Sequence, residues 1–460
     1  MTNRRDFIKK SALGTAGIAI GGMGFSTRSY GAIQGANDRV TVAVIGIRGQ
    51  GGGHINSFLG LKDSKNVRLK TLCDVDEQYF APKSKVVFDK TGENPKTEWD
   101  MRKVFDDKEI DAVSFAVPNH WHALGTIWAC QAGKHVYVEK PATHNIFEGR
   151  KMVEAARKYD VRVQVGFQAR SYKNINDAIK FLHDGGIGDV YMARGLCYKP
   201  RDSFGIAKDG PPPATLHYDQ WLGPAQWREY NEKRGHYNWH WHWNTGNGDS
   251  GNQGVHEFDI ARWGLNKHEH PVSVYSTGGI YGISPEECSQ ETPNTQSSVF
   301  KYKDGAMLEF ETRGRYFNRE GNIGVAIGNI FYGTEGYLEL QSWEKSGGEW
   351  QAFRKREKEP FAGSLIGDSK QIAPTLMGPD STNHFSNFID AVRSGKNELL
   401  NCDIEEGFYS SALPHLGNIS YRLGRELRFM GDYEKFANDP EADTMLSRNY
   451  RRPYMVPDNV

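Results

Sequence analysis

Cysteine is scarce in this chain. The five present, Cys73, Cys130, Cys197, Cys288 and Cys402, are isolated and odd in number. No Cys-x-x-Cys or Cys–His spacing occurs, so neither a disulfide framework nor a zinc site is indicated. Net charge is also lacking, because 57 basic residues balance 57 acidic ones. No general field therefore draws the chain to nucleic acid or to an acidic membrane. Beyond the N-terminal region no run is long and apolar enough to span a bilayer. Glycine, by contrast, is abundant at 51 of 460 residues, and mean hydropathy is −0.64. That balance fits a loop-rich soluble protein with room for two domains.

The first residues read as an address rather than as fold. Asn3-Arg4-Arg5-Asp6-Phe7-Ile8-Lys9-Lys10 precedes a weakly apolar Gly/Ala-rich run from Ser11 to Phe25. A charged region followed by an apolar region too short to anchor a mature protein is the pattern of an export signal. Paired arginines followed by Phe-Ile-Lys resemble the twin-arginine type, so a periplasmic or extracytoplasmic location is expected. Cleavage is expected between about Ser29 and Ala36, and residues 1–36 are assigned to signal and linker.

From there strands and helices alternate. Val40–Ile45 is a β-branched run that enters Gly46-Ile47-Arg48-Gly49-Gln50-Gly51 and then a helical pattern. Strand, glycine turn and helix is the context in which backbone amides cradle a pyrophosphate, although Arg48 stands where a second glycine is usual. The next strand ends in Asp74, whose carboxylate can hold ribose hydroxyls and would repel a 2′-phosphate. NAD is therefore expected, with NADP left open by the nearby Arg48. Further strands stop at Pro118, before Asn119-His120-Trp121-His122, at Glu139-Lys140-Pro141, and at Gly166-Phe167-Gln168. The pattern predicts a doubly wound parallel sheet over residues 37–167, with Gly46, Asp74, Pro118, Lys140 and Gln168 at its carboxyl edge, where ligands bind.

Ala-Val-Pro-Asn-His-Trp-His (116–122), Ala-Gly-Lys-His-Val-Tyr-Val-Glu-Lys-Pro (132–141) and Val-Gly-Phe-Gln-Ala-Arg (165–170) resemble the glucose–fructose oxidoreductase / inositol dehydrogenase (Gfo/Idh/MocA) family. Gly-Asn-Gln-Gly-Val-His-Glu-Phe-Asp-Ile-Ala-Arg-Trp (251–263) is similar to that family's second-domain catalytic helix. The resemblance implies that Lys140 touches both the nicotinamide end of the cofactor and the reacting hydroxyl, and that His256 exchanges the proton. The family usually carries Asp four residues before that histidine, where this chain has Asn252. On one helix, positions i and i+4 share a face, so Asn252 and His256 are expected to converge on one substrate without a full acid relay.

The expected cofactor contacts are Gly46, Arg48, Gly49, Gln50, Gly51, Asp74, Pro118, Asn119, His122, Glu139, Lys140 and Gln168. Gln168, Arg170, Asn252, His256 and Lys140 are expected at the substrate.

The second half changes character. Residues 199–250 form a long irregular region containing His236-Tyr237-Asn238-Trp239-His240-Trp241-His242-Trp243. A metal cluster of His236, His240 and His242 is one reading, but no carboxylate or cysteine at ligand spacing supports it, so no metal is expected. Trp239 and Trp241 forming a sugar-stacking wall is another, and aromatic packing under a loop is the plain alternative. Five strand-like runs between 272 and 340 predict an open, mainly antiparallel sheet, which with its helices makes an α+β domain over 168–430. One face of that sheet is expected to join a partner subunit. The polar tail, 431–460, is expected to wrap the surface. The function that follows is an exported NAD(P)-dependent oxidoreductase of sugars that retains its cofactor. A glycosidase working by transient oxidation uses the same parts, and a non-catalytic sugar-binding protein is the third reading.

Overall fold

The β-branched run Val40–Ile45 forms strand β1, and all six residues are buried. Branched side chains suit an extended chain covered on both faces. In this computed structural model, which describes residues 38–342, 348–364 and 379–460 (with no side chains for 379–382), β1 leads into helix α1 (Gln50–Gly60). The alternation continues through β2 (Val67–Cys73), α2 (Phe80–Thr91), β3 (Lys96–Glu98), α3 (Met101–Phe105), β4 (Ala112–Phe115), α4 (Asn119–Gln131), β5 (His135–Val138), α5 (Ile146–Lys158) and β6 (Val163–Val165). The six strands are parallel in the order β3-β2-β1-β4-β5-β6. The order reverses beside β1, so a crevice opens at the carboxyl ends of β1 and β4. The export signal expected over residues 1–36 falls outside the described residues.

Local chemistry sets several boundaries. Asn145 caps α5 by accepting from the Glu148 backbone N–H at 3.0 Å, while Glu148 accepts from the His144 N–H at 2.9 Å, a reciprocal cap. Helix α4 begins immediately after Pro118, so Asn119, His120 and His122 lie in its first turns.

Among the described residues the second sheet has ten strands. β7 (Val190–Cys197) follows α6 (Lys173–His183), and α7 (Tyr218–Leu222), α8 (Gly248–Asn252) and α9 (Gly254–Gly264) precede the rest. Those are β8 (Ser273–Gly279), β9 (Thr295–Lys301), β10 (Met307–Arg313), β11 (Ile327–Gly333), β12 (Tyr337–Gln341), β13 (Glu349–Phe353), β14 (Ala362–Gly363), β15 (Leu427–Met430) and β16 (Lys435–Phe436). The order is β14-β13-β12-β11-β7-β10-β9-β8-β15-β16, antiparallel except for the parallel pair β7/β10. Helix α9 and the long α11 (Ile404–Leu423) cover one face, with α10 (Pro379–Ser394) and α12 (Pro440–Asp443) elsewhere.

Three expectations are corrected. The helix read through residues 252–265 is two segments, Gly248–Asn252 and Gly254–Gly264, that meet at Gln253, whose own backbone stays in the helical region at φ −80° and ψ −47°. Because Gln253 keeps helical dihedrals, Asn252 and His256 still line one cavity, as the i, i+4 spacing predicts. Helix α10 returns to the first sheet, where Phe385 stacks on Tyr137 at 4.2 Å and meets Phe58 edge-on at 5.1 Å. The tail does more than wrap the surface. Phe436, Leu446, Tyr454 and Val456 are buried, and Tyr454 packs edge-on to Trp121 at 5.5 Å, because apolar residues are spaced among its polar ones.

Candidate active site

The glycine turn after β1 is built for close backbone approach. Gly46 has φ +80°, and a Cβ there would lie 2.5 Å from the Ala116 carbonyl oxygen. A Cβ on Gly51 would lie 1.8 Å from the Gly46 carbonyl oxygen. Only glycine fits either position. Helix α1 begins at Gln50 behind its N-cap Gly49, with no side-chain cap and no acid in its first turn, which leaves its positive dipole end open to an anion. Arg48 leans over the Tyr79 ring at 5.7 Å.

Asp74 lies just beyond β2. Its carboxylate accepts from the Ile47 N–H at 2.9 Å and from the Asp76 N–H at 3.0 Å, and so holds the turn in place. Burial pushes its carboxyl up to about 6, against those two donors.

Glu139 and Lys140 end β5 with opposite roles. The Glu139 carboxylate is buried and lies 3.0 Å from His54 Nε2, and it accepts from Gln168 at 2.8 Å and from Gln50 at 3.3 Å. Burial alone would raise this carboxyl, but the His54 hydrogen bond and charge, with the Lys140 charge adding, hold it down at about 2. Glu139 is thus an anchored anion under the cleft. Lys140 Nζ turns the other way and donates to the Asn252 carbonyl at 3.3 Å. His256 is buried on α9 with its ring edge-on to Phe167 at 5.8 Å. Burial first, and then the Lys140 charge, keep its imidazole well below the usual histidine range. It is therefore neutral near pH 7.

These groups share one cavity of about 1340 Å³. Gly46, Arg48, Gly49, Gln50, Asp74, Pro118, Asn119, Glu139, Lys140 and Gln168 line it from the first sheet, and Trp239, Asn252 and His256 from the second half. The glycine cradle, the uncapped helix start and a long cleft running from Asp74 to Lys140 fit a dinucleotide.

Four expected contacts stand elsewhere. Gly51 lies behind the turn and serves packing. His122 is buried, with its ring nitrogens 2.7 Å from the Pro141 carbonyl and 2.9 Å from that of Val117, so it braces two strand ends. Arg170 is buried in a forked pair with Asp259 at 2.8 to 3.1 Å and is a structural cation rather than a substrate contact. Trp241 turns inward beneath Arg201, 5.0 Å from its ring, so the indole wall is reduced to Trp239, which stacks on His240 at 3.5 Å. No group of three or more metal-ligating side chains occurs among the described residues.

Several lining residues carried no signal in the sequence. Lys199, Gln253 and Tyr237 join the Lys140 end, and Trp99, Leu216, Tyr218 and Trp221 join the Asp74 end. They come from loops and from segments as short as α7 and the short 3-10 helix that holds Tyr237, where no periodicity marks a side chain's direction.

Two family models match the chain. Residues 40–167 match the NAD-binding Rossmann fold of the Gfo/Idh/MocA oxidoreductase family. Residues 206–335 and 362–456 match its C-terminal alpha/beta domain. The chain belongs to the Gfo/Idh/MocA oxidoreductase family. Its first sheet is accordingly an NAD-binding Rossmann domain. Among curated family relatives, levoglucosan dehydrogenase of Pseudarthrobacter phenanthrenivorans is 35% identical over 103 residues, 22% of this chain and 26% of that protein. A glycosyl hydrolase family 109 protein of Shewanella pealeana is 27% identical over 172 residues, 34% of this chain and 37% of that protein. The matches thus span about a quarter to somewhat over a third of these relatives' length. A solved levoglucosan dehydrogenase in complex with NADH and L-sorbose shares the fold at TM-score 0.63 and 17% identity, over 85% of this chain and 99% of that one.

Proposed function

We propose that this Gfo/Idh/MocA protein is an NAD(P)-dependent oxidoreductase acting on a hydroxyl or keto carbon of a sugar or glycoside. The observation that carries the reading is the meeting, in one cavity with the glycine cradle, of the Lys140 ammonium and the neutral His256 imidazole. Oxidising an alcohol removes a proton from oxygen and a hydride from carbon, and bound NAD(P) supplies the hydride acceptor. Lys140 stabilises the charge developing on oxygen. His256, held neutral, accepts the proton and returns it in the reverse direction. The sugar-acting names among the relatives support the substrate class.

We further propose that the protein is exported, as Arg4-Arg5 and the following apolar run suggest, and that it keeps its nucleotide. Support for retention comes from a strap over the Asp74 end. Leu216 bridges to Asp76, His217 N–H donates to the Val75 carbonyl at 2.8 Å, and Glu77 N–H donates to that of Thr215 at 3.0 Å. His217 also stacks on Trp99 at 4.1 Å. A retained nucleotide must be reset within the site, which favours paired oxidation and reduction of two sugars. The outer face of the second sheet carries exposed Tyr275 opposite Val299, which supports a homo-oligomer through that face. No helix among the described residues is long and apolar enough to cross a membrane.

The test is direct. The purified protein should carry near-stoichiometric nucleotide and interconvert sugars and keto-sugars without added NAD(P). A protein that purifies empty and accumulates NADH only when NAD is supplied would refute retention. Lack of any hydride exchange with sugars would refute the oxidoreductase reading. The glycosyl hydrolase relative favours a second reading, oxidation followed by elimination and reduction, which chromogenic glycoside cleavage distinguishes.

A further inference from the structure

The loop before α8 brings an unassigned phenol to the reacting end of the cavity. Tyr237 is half exposed and lines the cavity beside Lys140, Asn252 and His256. Its oxygen receives two hydrogen bonds, from Asn252 Nδ2 at 3.0 Å and from Arg201 Nη1 at 3.3 Å. Arg201 is itself fixed by a fork onto the buried Asp249, with contacts of 3.0 and 2.7 Å. The Tyr237 carbonyl, in turn, lies 2.6 Å from His240 Nδ1, which steadies the loop. A phenol oxygen accepts two hydrogen bonds and donates one. With both acceptor positions filled, the remaining capacity of Tyr237 is its own proton, which meets no acceptor among the described residues.

Asn252 joins this phenol to the catalytic lysine. Its carbonyl accepts from Lys140 Nζ at 3.3 Å while its side-chain amide donates to Tyr237. One residue thus holds two donors side by side, one charged and one neutral. A polyol presents neighbouring oxygens in the same way.

We propose that Tyr237 is a substrate-binding residue whose hydroxyl donates to an oxygen on the carbon next to the reacting one, so that the site selects vicinal diols. The Asn252 amide and Arg201 act as positioning groups that aim the phenol. This rests on the oxidoreductase reading above.

The test uses the nucleotide-loaded protein and its Tyr237→Phe variant. The probes are glucose, galactose, mannose and glucuronate with their monodeoxy analogues. The readouts are nucleotide content and kcat/KM for nicotinamide reduction or sugar exchange. The variant should keep its nucleotide and lose about tenfold in kcat/KM on the preferred sugar, the scale of one neutral hydrogen bond. One monodeoxy analogue should show the same loss with the parent protein and no further loss with the variant. Equal activity of variant and parent overturns the proposal, as does a loss that persists undiminished on every deoxy analogue. Loss of nucleotide from the variant overturns it too, by assigning the phenol to cofactor binding. If the loaded parent exchanges hydride with none of the probes, the oxidoreductase reading itself fails and this inference falls with it.

Discussion

The strap over the Asp74 end makes a quantitative prediction about how fast nucleotide leaves. Replacing Thr215 by Val and His217 by Ala keeps the two backbone hydrogen bonds but removes the side-chain clasp. Thr215 Oγ donates to Asp76 at 2.8 Å, and Asp76 is buried, so this charge-assisted bond contributes about 1.5 kcal/mol. The 2.6 Å contact of His217 with Glu77 lies where Glu77 is 49% exposed, so screening limits it to about 0.5 kcal/mol. The stack on Trp99 adds about 0.5 to 1 kcal/mol. Together the clasp is worth about 2.5 to 3 kcal/mol, and if release requires it to open, the double variant should lose nucleotide about 60- to 150-fold faster. The assay is repeated dilution and gel filtration of loaded protein, with bound nucleotide followed by its absorbance and fluorescence. Parallel release from the parent and the variant, with both folded, would refute the strap as the barrier to dissociation.

Lys140→Ala should leave folding and nucleotide content unchanged while turnover falls about 10²- to 10⁴-fold; near-full activity would remove the lysine from the chemistry. Arg170→Met should cost about 3 to 5 kcal/mol in urea unfolding by stranding the fully buried Asp259, with KM for sugar unchanged; normal stability with a raised KM would restore Arg170 to the substrate site. Acid should destabilise the protein. Burial depresses His120 and His415 to about 3 and His135 and His384 to about 4, so between roughly pH 6.5 and 4 the unfolded chain takes up protons that the native one refuses. Asp74, raised to about 6, and Glu148, raised to about 7, work in the opposite sense, because the native state binds their protons first as pH falls. The four imidazoles outweigh the two carboxyls, so urea midpoints should fall from pH 7 to 4.5, and a rising midpoint would contradict the assignment.

How much was legible in the chain follows from what each signal depends on. The runs at 40–45, 112–115 and 135–138 announced buried strands because β-branched and aromatic side chains need no distant partner to favour extension. The stops at Pro118 and Pro141 and the turn at Gly46 then marked the edge at which those strands end. The need for glycine at 254 was hidden, because the Phe310 ring that leaves no room for a Cβ comes from another strand. Arg170 and His122 sit in motifs that also carry cavity-lining residues, and adjacency in sequence did not say which way each side chain turns.

By itself, then, the sequence determined the alternating sheet, the glycine turn, the acid at the end of β2 and which residues stand at the carboxyl edge. These are local consequences of backbone sterics and side-chain shape, repeated at each strand end. Only the tertiary structure decided that Arg170 pairs with Asp259, that Trp241 turns into the core, that α10 returns to the first sheet and that the 215–217 strap closes over the Asp74 end. Each of these is a contact between segments far apart in the chain, and its partner is chosen by packing and charge neutralisation that no local pattern encodes.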